Sequence, residues 1–433
     1  MSFNVSTYTF PPNVFSTPNF TANKVLINDL TAYSLTIPYS GAYLPGSYDA
    51  FNRLRISSPF TLFDSSFLYE DNGKFDTRTS SGGSSVFDDN ASIMNMNVTT
   101  SSGSQVIRQS YRTMAYQPGK SLLIMCSFVM NSGKSNLRQR VGYFDDNNGI
   151  YVEQNGTTVN MVIRSKSSGV VTEDIIPQNL WNADKLDGTG YSGYTLDISK
   201  SQIFFCDVEW LGVGTVRTGF VINGNLVVCN IFNHANIINS TYMTTACLPV
   251  RYEITNLNTT SSSSTLKQIC STVISEGGYE AFSRFYNYTL GLSSKTLTTG
   301  NVIYPIISIR LRSDRPNAIV LPSELEVLVT NNNTVQYLLL LNPTLSSPSF
   351  TNYTDNVQVD TTASGLTGGT ILKAGYIVST TQNRGSETIS DVNQFNIQLG
   401  RFLNGTSDVV TLAARGSSNG ATVLADLGWF EIN

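Results

Sequence analysis

Charge is scarce in this sequence. Lysine, arginine, aspartate and glutamate make up only 13% of its 433 residues, about half the usual share. The 27 basic and 31 acidic residues leave a formal net charge of −4, which provides no basic footprint for nucleic acid. Histidine occurs once, at His234, so a multi-histidine metal site is excluded and no metal is expected. The cysteines, Cys126, Cys206, Cys229, Cys247 and Cys270, are odd in number, widely spaced and form no C-x-x-C pair; neither a disulfide framework nor a zinc ribbon is expected. Long apolar runs are missing too. The longest, at 335–341, falls far short of the roughly 20 residues of a membrane-spanning helix. The opening stretch MSFNVSTYTFPPNVF has neither the basic start nor the apolar core of a signal peptide. Gly-rich pieces at 80–84 and 188–190 lack a P-loop lysine, so no phosphate cradle and no cofactor is expected. No fixed-period repeat appears, which argues against a propeller or solenoid.

What the chain does contain is Ser, Thr and Asn in abundance, with 11% aromatic residues. That is enough apolar material for a large core. A surface of neutral hydroxyls and amides suits close packing among other proteins, because desolvating them costs less than desolvating ions.

Strand signals dominate. The stretch 201–232, SQIFFCDVEWLGVGTVRTGFVINGNLVVCNIF, reads as a three-stranded meander. Phe204, Cys206, Val208 and Trp210 alternate with Ile203, Phe205, Asp207 and Glu209, so the first set forms an apolar floor and the second ends in two carboxylates. Gly212 and Gly214 supply one turn. Asn223-Gly224 supplies the other, as a type I′ hairpin. On the third strand Leu226, Val228, Asn230 and Phe232 are expected to share a face. Cys206 and Cys229 fall inside these strands and are expected to be small buried apolar residues.

The segment 1–48, punctuated by Pro11-Pro12, Pro18, Pro38 and Pro45, reads as an extended N-terminal arm that finishes a sheet edge. Residues 49–291 are dense in strands and are expected to form a β-sandwich. Strand 121–130 is apolar on both faces, as for a covered central strand, and 266–275 reads as a strand despite a helix-like stripe. A hinge is expected at 293–300, leading to a β-rich C-terminal region, 292–433, either separate or packed into the same sandwich. Its strands are expected at 306–312, 325–330, 337–341, 375–379, 395–399, 408–413 and 427–432. The fold class is therefore all-β, of jelly-roll or concanavalin-like sandwich type.

The best polar constellation is Asp207 and Glu209 with Arg217 nearby. Arg53/Arg55 and Arg138/Arg140 are paired basic positions on strand faces, with Asp49, Asp145 and Asp146 as their expected local partners. The turn at 145–149, DDNNG, lacks EF-hand spacing and reads as a polar turn. His234, flanked by asparagines and without a G-x-S-x-G elbow in the chain, reads as a loop or packing residue.

The run F-C-D-V-E at 205–209 resembles the strand motif E-x-D-x-E of a jelly-roll family of retaining glucanases. In that family the first Glu is the nucleophile, the Asp orients and the last Glu is the acid/base. Asp207 and Glu209 match the last two positions, but Phe205 stands where the nucleophile belongs, and a phenyl ring cannot form a glycosyl ester. A second resemblance covers about residues 49–280. The ordered blocks DAFNRLRISSPFTLFDS (49–65), RQRVGYFDDNNGIYVEQNG (138–156), WLGVGTVRTGFVINGNLVV (210–228), LPVRYEI (248–254) and STLKQICSTVISEGGY (264–279) resemble structural proteins of tailed bacteriophages, particularly aquatic ones, and of some large DNA viruses.

That resemblance implies a non-enzymatic virion protein, capsid-associated or in the tail. It would be assembled in the host cytoplasm with copies of itself and other virion proteins. The alternative is a carbohydrate-binding adhesin recognising a host-surface glycan, with a glycoside hydrolase behind it. Asp207, Glu209, Arg217, Arg53 and Arg55 are the residues expected to form a ligand or assembly surface.

Overall fold

The computed structural model describes residues 57–280, 283–380, 386–389 and 398–432. The expected arm at 1–48, together with Arg53 and Arg55, lies outside them, as does most of the expected strand at 395–399.

The described residues are all-β, with one short 3-10 turn at Gln178–Leu180. They fold as jelly-roll-type sandwiches in which every strand pairing is antiparallel. The first sandwich stacks two sheets. One runs in the order Asn225–Phe232, Val216–Ile222, Gln202–Val208, Leu122–Val129, Ser264–Ser275, Ile93–Val98 and Ser84–Asp88, with Phe60–Ser65 also on Ser264–Ser275. The other runs Thr172–Pro177, Thr158–Ser165, Gly149–Asn155, Leu137–Phe144, Val250–Asn256, Gln105–Ser110 and Phe75–Ser80. The chain crosses repeatedly from sheet to sheet, for example between 110 and 122, between 129 and 137, and between 256 and 264. The sheets thereby bury one common core, which includes Phe128, Tyr143, Phe204, Phe220 and Tyr252.

Alternation explains which residues enter it. Leu122, Ile124, Cys126 and Phe128 are buried, while the intervening residues of that strand are half-buried on the outer face. One charged side chain also points inward. Arg108 is fully buried: its Nε donates to Gln268 of the opposite sheet at 2.7 Å, and both terminal nitrogens donate to Asp71 at 2.8 and 2.9 Å. A guanidinium has no acceptors and a planar fork, so this bidentate pairing satisfies most of its donors inside the sandwich.

Arg284–Thr289 already belongs to a second sandwich, pairing with Ala421–Ile432. Its sheets run Arg284–Thr289, Ala421–Ile432, Ile319–Val329, Ser386–Ile389, and Thr351–Asn352, Val357–Asp360, Tyr304–Leu311, Val409–Gly416, Asn333–Leu341, Thr370–Ser379. The core between them contains the fully buried Trp429 with Tyr337, Ile307 and Leu412. Within the expected hinge, Lys295–Leu297 is a short strand on the Ala421–Ile432 strand.

The sandwiches meet through Ala115, Cys247 and Tyr279 on one side and Ile319, Leu321, Phe430 and Ile432 on the other. The segment 398–408 staples them. Gln398 Nε2 donates to the Thr113 carbonyl at 2.9 Å, Arg401 N to the Tyr111 carbonyl at 3.0 Å, and Leu403 N to Asp76 Oδ2 at 2.6 Å.

Candidate functional site

The meander forms where expected. Phe204, Cys206 and Val208 enter the core with Val216 and Phe220, and Trp210 packs partly against it. Asn223 and Gly224 take the positive φ values, 51° and 81°, that the type I′ turn needs. The third strand differs from expectation. Leu226 is exposed while Phe232 faces the core, which also takes Val227 and, as expected, Cys229. A bulge at Thr218/Gly219 pairs Thr218 with Asn230 but Gly219 with Val228, so one extra residue shifts the pattern by one.

On the outer face, Asp207 stands directly opposite Arg217 and accepts a hydrogen bond from its Nη2. The Asp207 side chain is only 11% exposed, whereas the Arg217 side chain is 55% exposed. Burial raises the Asp207 carboxyl above its ordinary range; Arg217 pulls it down less strongly. Glu209 lies one residue beyond the strand and is exposed. With Lys120, Ser121 and Thr215 these residues border an open recess of about 520 Å³. Ser121 Oγ donates to Glu276 at 2.7 Å. Phe205, at the position a nucleophile would need, is 2% exposed and faces Gly219 in register. The recess therefore holds an exposed carboxylate and an ion-paired, partly desolvated one, while Phe205 is buried and does not line it.

A denser constellation lies on the outer face of the other sheet. Arg138 and Arg140 do not pair with Asp145 or Asp146 as expected. Both reach Glu253 on the neighbouring strand, which stands opposite Arg140 in register. Arg251 adds a third contact to Glu253 at 3.1 Å and holds Asp146 at 2.7 Å. Arg164 pairs with Glu173 at 2.7 Å, and the Tyr151 hydroxyl donates to the same carboxylate at 2.7 Å. The guanidinium carbons of Arg140, Arg164 and Arg251 lie 5.9, 5.7 and 5.3 Å from the Phe144 ring centroid, within cation–π range. Burial alone would raise Glu253, but Arg140 and Arg251 overcome it and hold the carboxyl at about 2. Every acid here has an ionic or hydrogen-bonded partner, which is the arrangement of a structural network.

The sequence missed this network because the partner of Arg140 lies 113 residues away. Only the hydrophobic alternation that sets strand register hinted at it.

The remaining residues singled out earlier are structural. His234 Nδ1 lies 2.6 Å from the Gly214 carbonyl and its ring stacks on Tyr242 at 4.0 Å. The 145–149 turn is closed by Asp145 Oδ1, which accepts from the amides of Asn147 and Asn148. All five cysteines are free, with Cys126, Cys206 and Cys229 buried.

No family model matches the sequence, and no curated protein is similar to it. Solved structures of concanavalin-like type do overlap about half the chain. A Bacteroides ovatus mixed-linkage glucan enzyme of glycoside hydrolase family 16 is 10% identical, with 49% of this chain and 99% of that one covered and a TM-score of 0.34. A Bacillus licheniformis β-glucanase is 10% identical over 51% of this chain and 99% of that one, with a TM-score of 0.31. Peanut lectin is 11% identical over 50% and 97%, with a TM-score of 0.29. Overlaps this loose assign no residue role here.

Proposed function

We propose that this chain is a non-catalytic structural protein of a tailed-phage or large-virus particle, acting through contacts with copies of itself and with other particle proteins. The observation that carries the assembly reading is the strand Thr370–Ser379. It pairs with Asn333–Leu341 along one edge, and among the described residues no strand covers the other. Ile371, Tyr376 and Val378 project from it into solvent, 59%, 69% and 62% exposed, and Lys373 is its only charge. Soluble proteins usually blunt such an edge with charge, proline or a covering element. Left open, it suits antiparallel pairing with a second copy, where a lone lysine meets no like charge in most registers. The blocks shared with virion proteins and the charge-poor composition support the same reading. Phe205 in the nucleophile position supports the absence of glycosidase chemistry.

The test is assembly. Light scattering should show concentration-dependent oligomers that Val378→Lys disrupts without changing the melting temperature, and mass spectrometry should find the chain in purified particles. A monomer at all concentrations, absent from particles, would end the reading.

A second reading, recognition of a cell-surface glycan, is favoured by a mixed apolar and polar cleft between the sandwiches. Retention of the intact chain on a glycan array is its test.

A further inference from the structure

The two sandwiches leave a cleft of about 500 Å³ between them, inside the roughly 300–1,000 Å³ of small-ligand sites, which favour such boundaries. Both sandwiches build its walls: Leu62 and Tyr111 from one, Leu341, Leu372 and Phe402 from the other. All five are only partly buried, so an apolar lining stays in contact with water. Its aromatic part is held in place. The Tyr111 and Phe402 rings meet edge to face at 5.1 Å and 79°, and the Tyr111 backbone is bonded on both sides, its amide to the Lys74 carbonyl at 3.1 Å and its carbonyl to Arg401 N at 3.0 Å.

The charges in the walls balance: Lys74 and Arg112 stand against Asp64 and Asp408. Lys74 Nζ lies 3.2 Å from Asp64. Asp408 accepts from Asn342 Nδ2 at 2.7 Å and from Gly400 N at 2.8 Å. A balanced lining offers no net attraction to a phosphate, a carboxylate or a cation. Fixed amide, carboxylate and hydroxyl groups beside aromatic and aliphatic surface match a ligand with one apolar C–H face and many neutral hydroxyls. Thr61, exposed at the rim, adds a further hydroxyl.

We propose that this cleft binds a short neutral oligosaccharide. The proposal rests on the glycan reading above and gives it a location away from the meander recess.

The test uses the intact chain with neutral gluco-, manno- and galacto-oligosaccharides and their sulfated counterparts, read by saturation-transfer NMR and calorimetry. Thr61→Trp blocks the rim from an exposed position, and Leu372→Trp fills the interior; melting temperatures confirm that both fold. The expected result is binding of a neutral oligosaccharide that weakens at least tenfold in both variants. Wild-type affinity in both variants, with loss only on Glu209→Gln, would move the glycan to the meander recess, overturning the cleft but not the glycan reading. Preference for the sulfated ligands would overturn the neutral class. No binding of any saccharide by the wild type would overturn both the cleft and the glycan reading.

Discussion

Phe205 and Gly219 are register partners on adjacent strands, and the phenyl ring lies over the glycine. A Cβ placed on Gly219 would stand 2.9 Å from Phe205 Cε1 and 2.0 Å from the Val227 carbonyl oxygen. The position where a retaining glucanase would carry its nucleophile is thus a packing site, with backbone close by.

Two outcomes follow for that position. Gly219→Ala should destabilise the protein by roughly 1–3 kcal/mol, the usual cost of overpacking, measured by urea unfolding. Phe205→Glu, which completes the E-x-D-x-E pattern, should lower stability and yield no turnover of soluble β-glucans. Hydrolysis appearing in that variant would refute the view of residue 205 as a packing site alone, and hydrolysis by the wild type, abolished by Glu209→Gln, would refute the non-catalytic reading.

Asp207 and Arg217 should contribute little as an ion pair. The Asp207 carboxyl is raised in the folded state, principally by burial. Stability from such a group is fully present below its unfolded pKa, near 3.8, and is lost as pH rises through the folded value. At pH 7 the ionised carboxylate is therefore a net burden, and Asp207→Asn should leave the melting temperature unchanged or higher. A clear loss of stability at pH 7 would contradict this.

Glu253 has the opposite sign. Its folded pKa is about 2, below the ordinary value near 4.5, so its stabilisation is present above about pH 4.5 and lost as pH falls towards 2. Glu253→Gln should cost about 3–5 kcal/mol at neutral pH, because it leaves buried arginines without their shared counter-ion. It should also flatten the acid limb of the stability curve between those pH values. Chemical denaturation at a series of pH values reads both effects.

Gly400 controls the docking of the sandwiches. A Cβ there would lie 2.8 Å from both the Tyr111 carbonyl oxygen and Asp408 Oδ2. Gly400→Val should push the 398–408 segment away from the first sandwich, with faster hydrogen exchange at Arg401 and Leu403. The amides of Val141 and Tyr252, deep in the first sandwich, should exchange as in the wild type.

Much of the fold was legible because strand signals are local. Alternation marked Gln202–Val208, a continuous apolar run marked Leu122–Val129, and Asn-Gly marked its hairpin with the φ values found, while only the second half of Ala421–Ile432 was expected, at 427–432. Where a strand pattern depended on its neighbour, the reading slipped. The bulge at Thr218/Gly219 put Leu226 and Phe232 on opposite faces, Leu226 outward and Phe232 inward, and nothing in residues 225–232 alone encodes it. The candidate site was half legible. Asp207 and Arg217 are close in sequence and joined by one hairpin, so their pairing could be read. The Glu253 network could not, because its members come from different strands brought together by cross-chain pairing.

The sequence by itself determined that the described chain is β-structured, poor in charge, and without a carboxylate at residue 205, since these follow from residue identity and short-range periodicity. Only the tertiary structure decided that Arg140 meets Glu253, that Arg108 is sealed between two sheets against Asp71, and that Tyr111 and Phe402 line one cleft. Those contacts depend on long-range register and on the docking of the sandwiches. Both are set by burial summed over whole sheets, which no local stretch of sequence reveals.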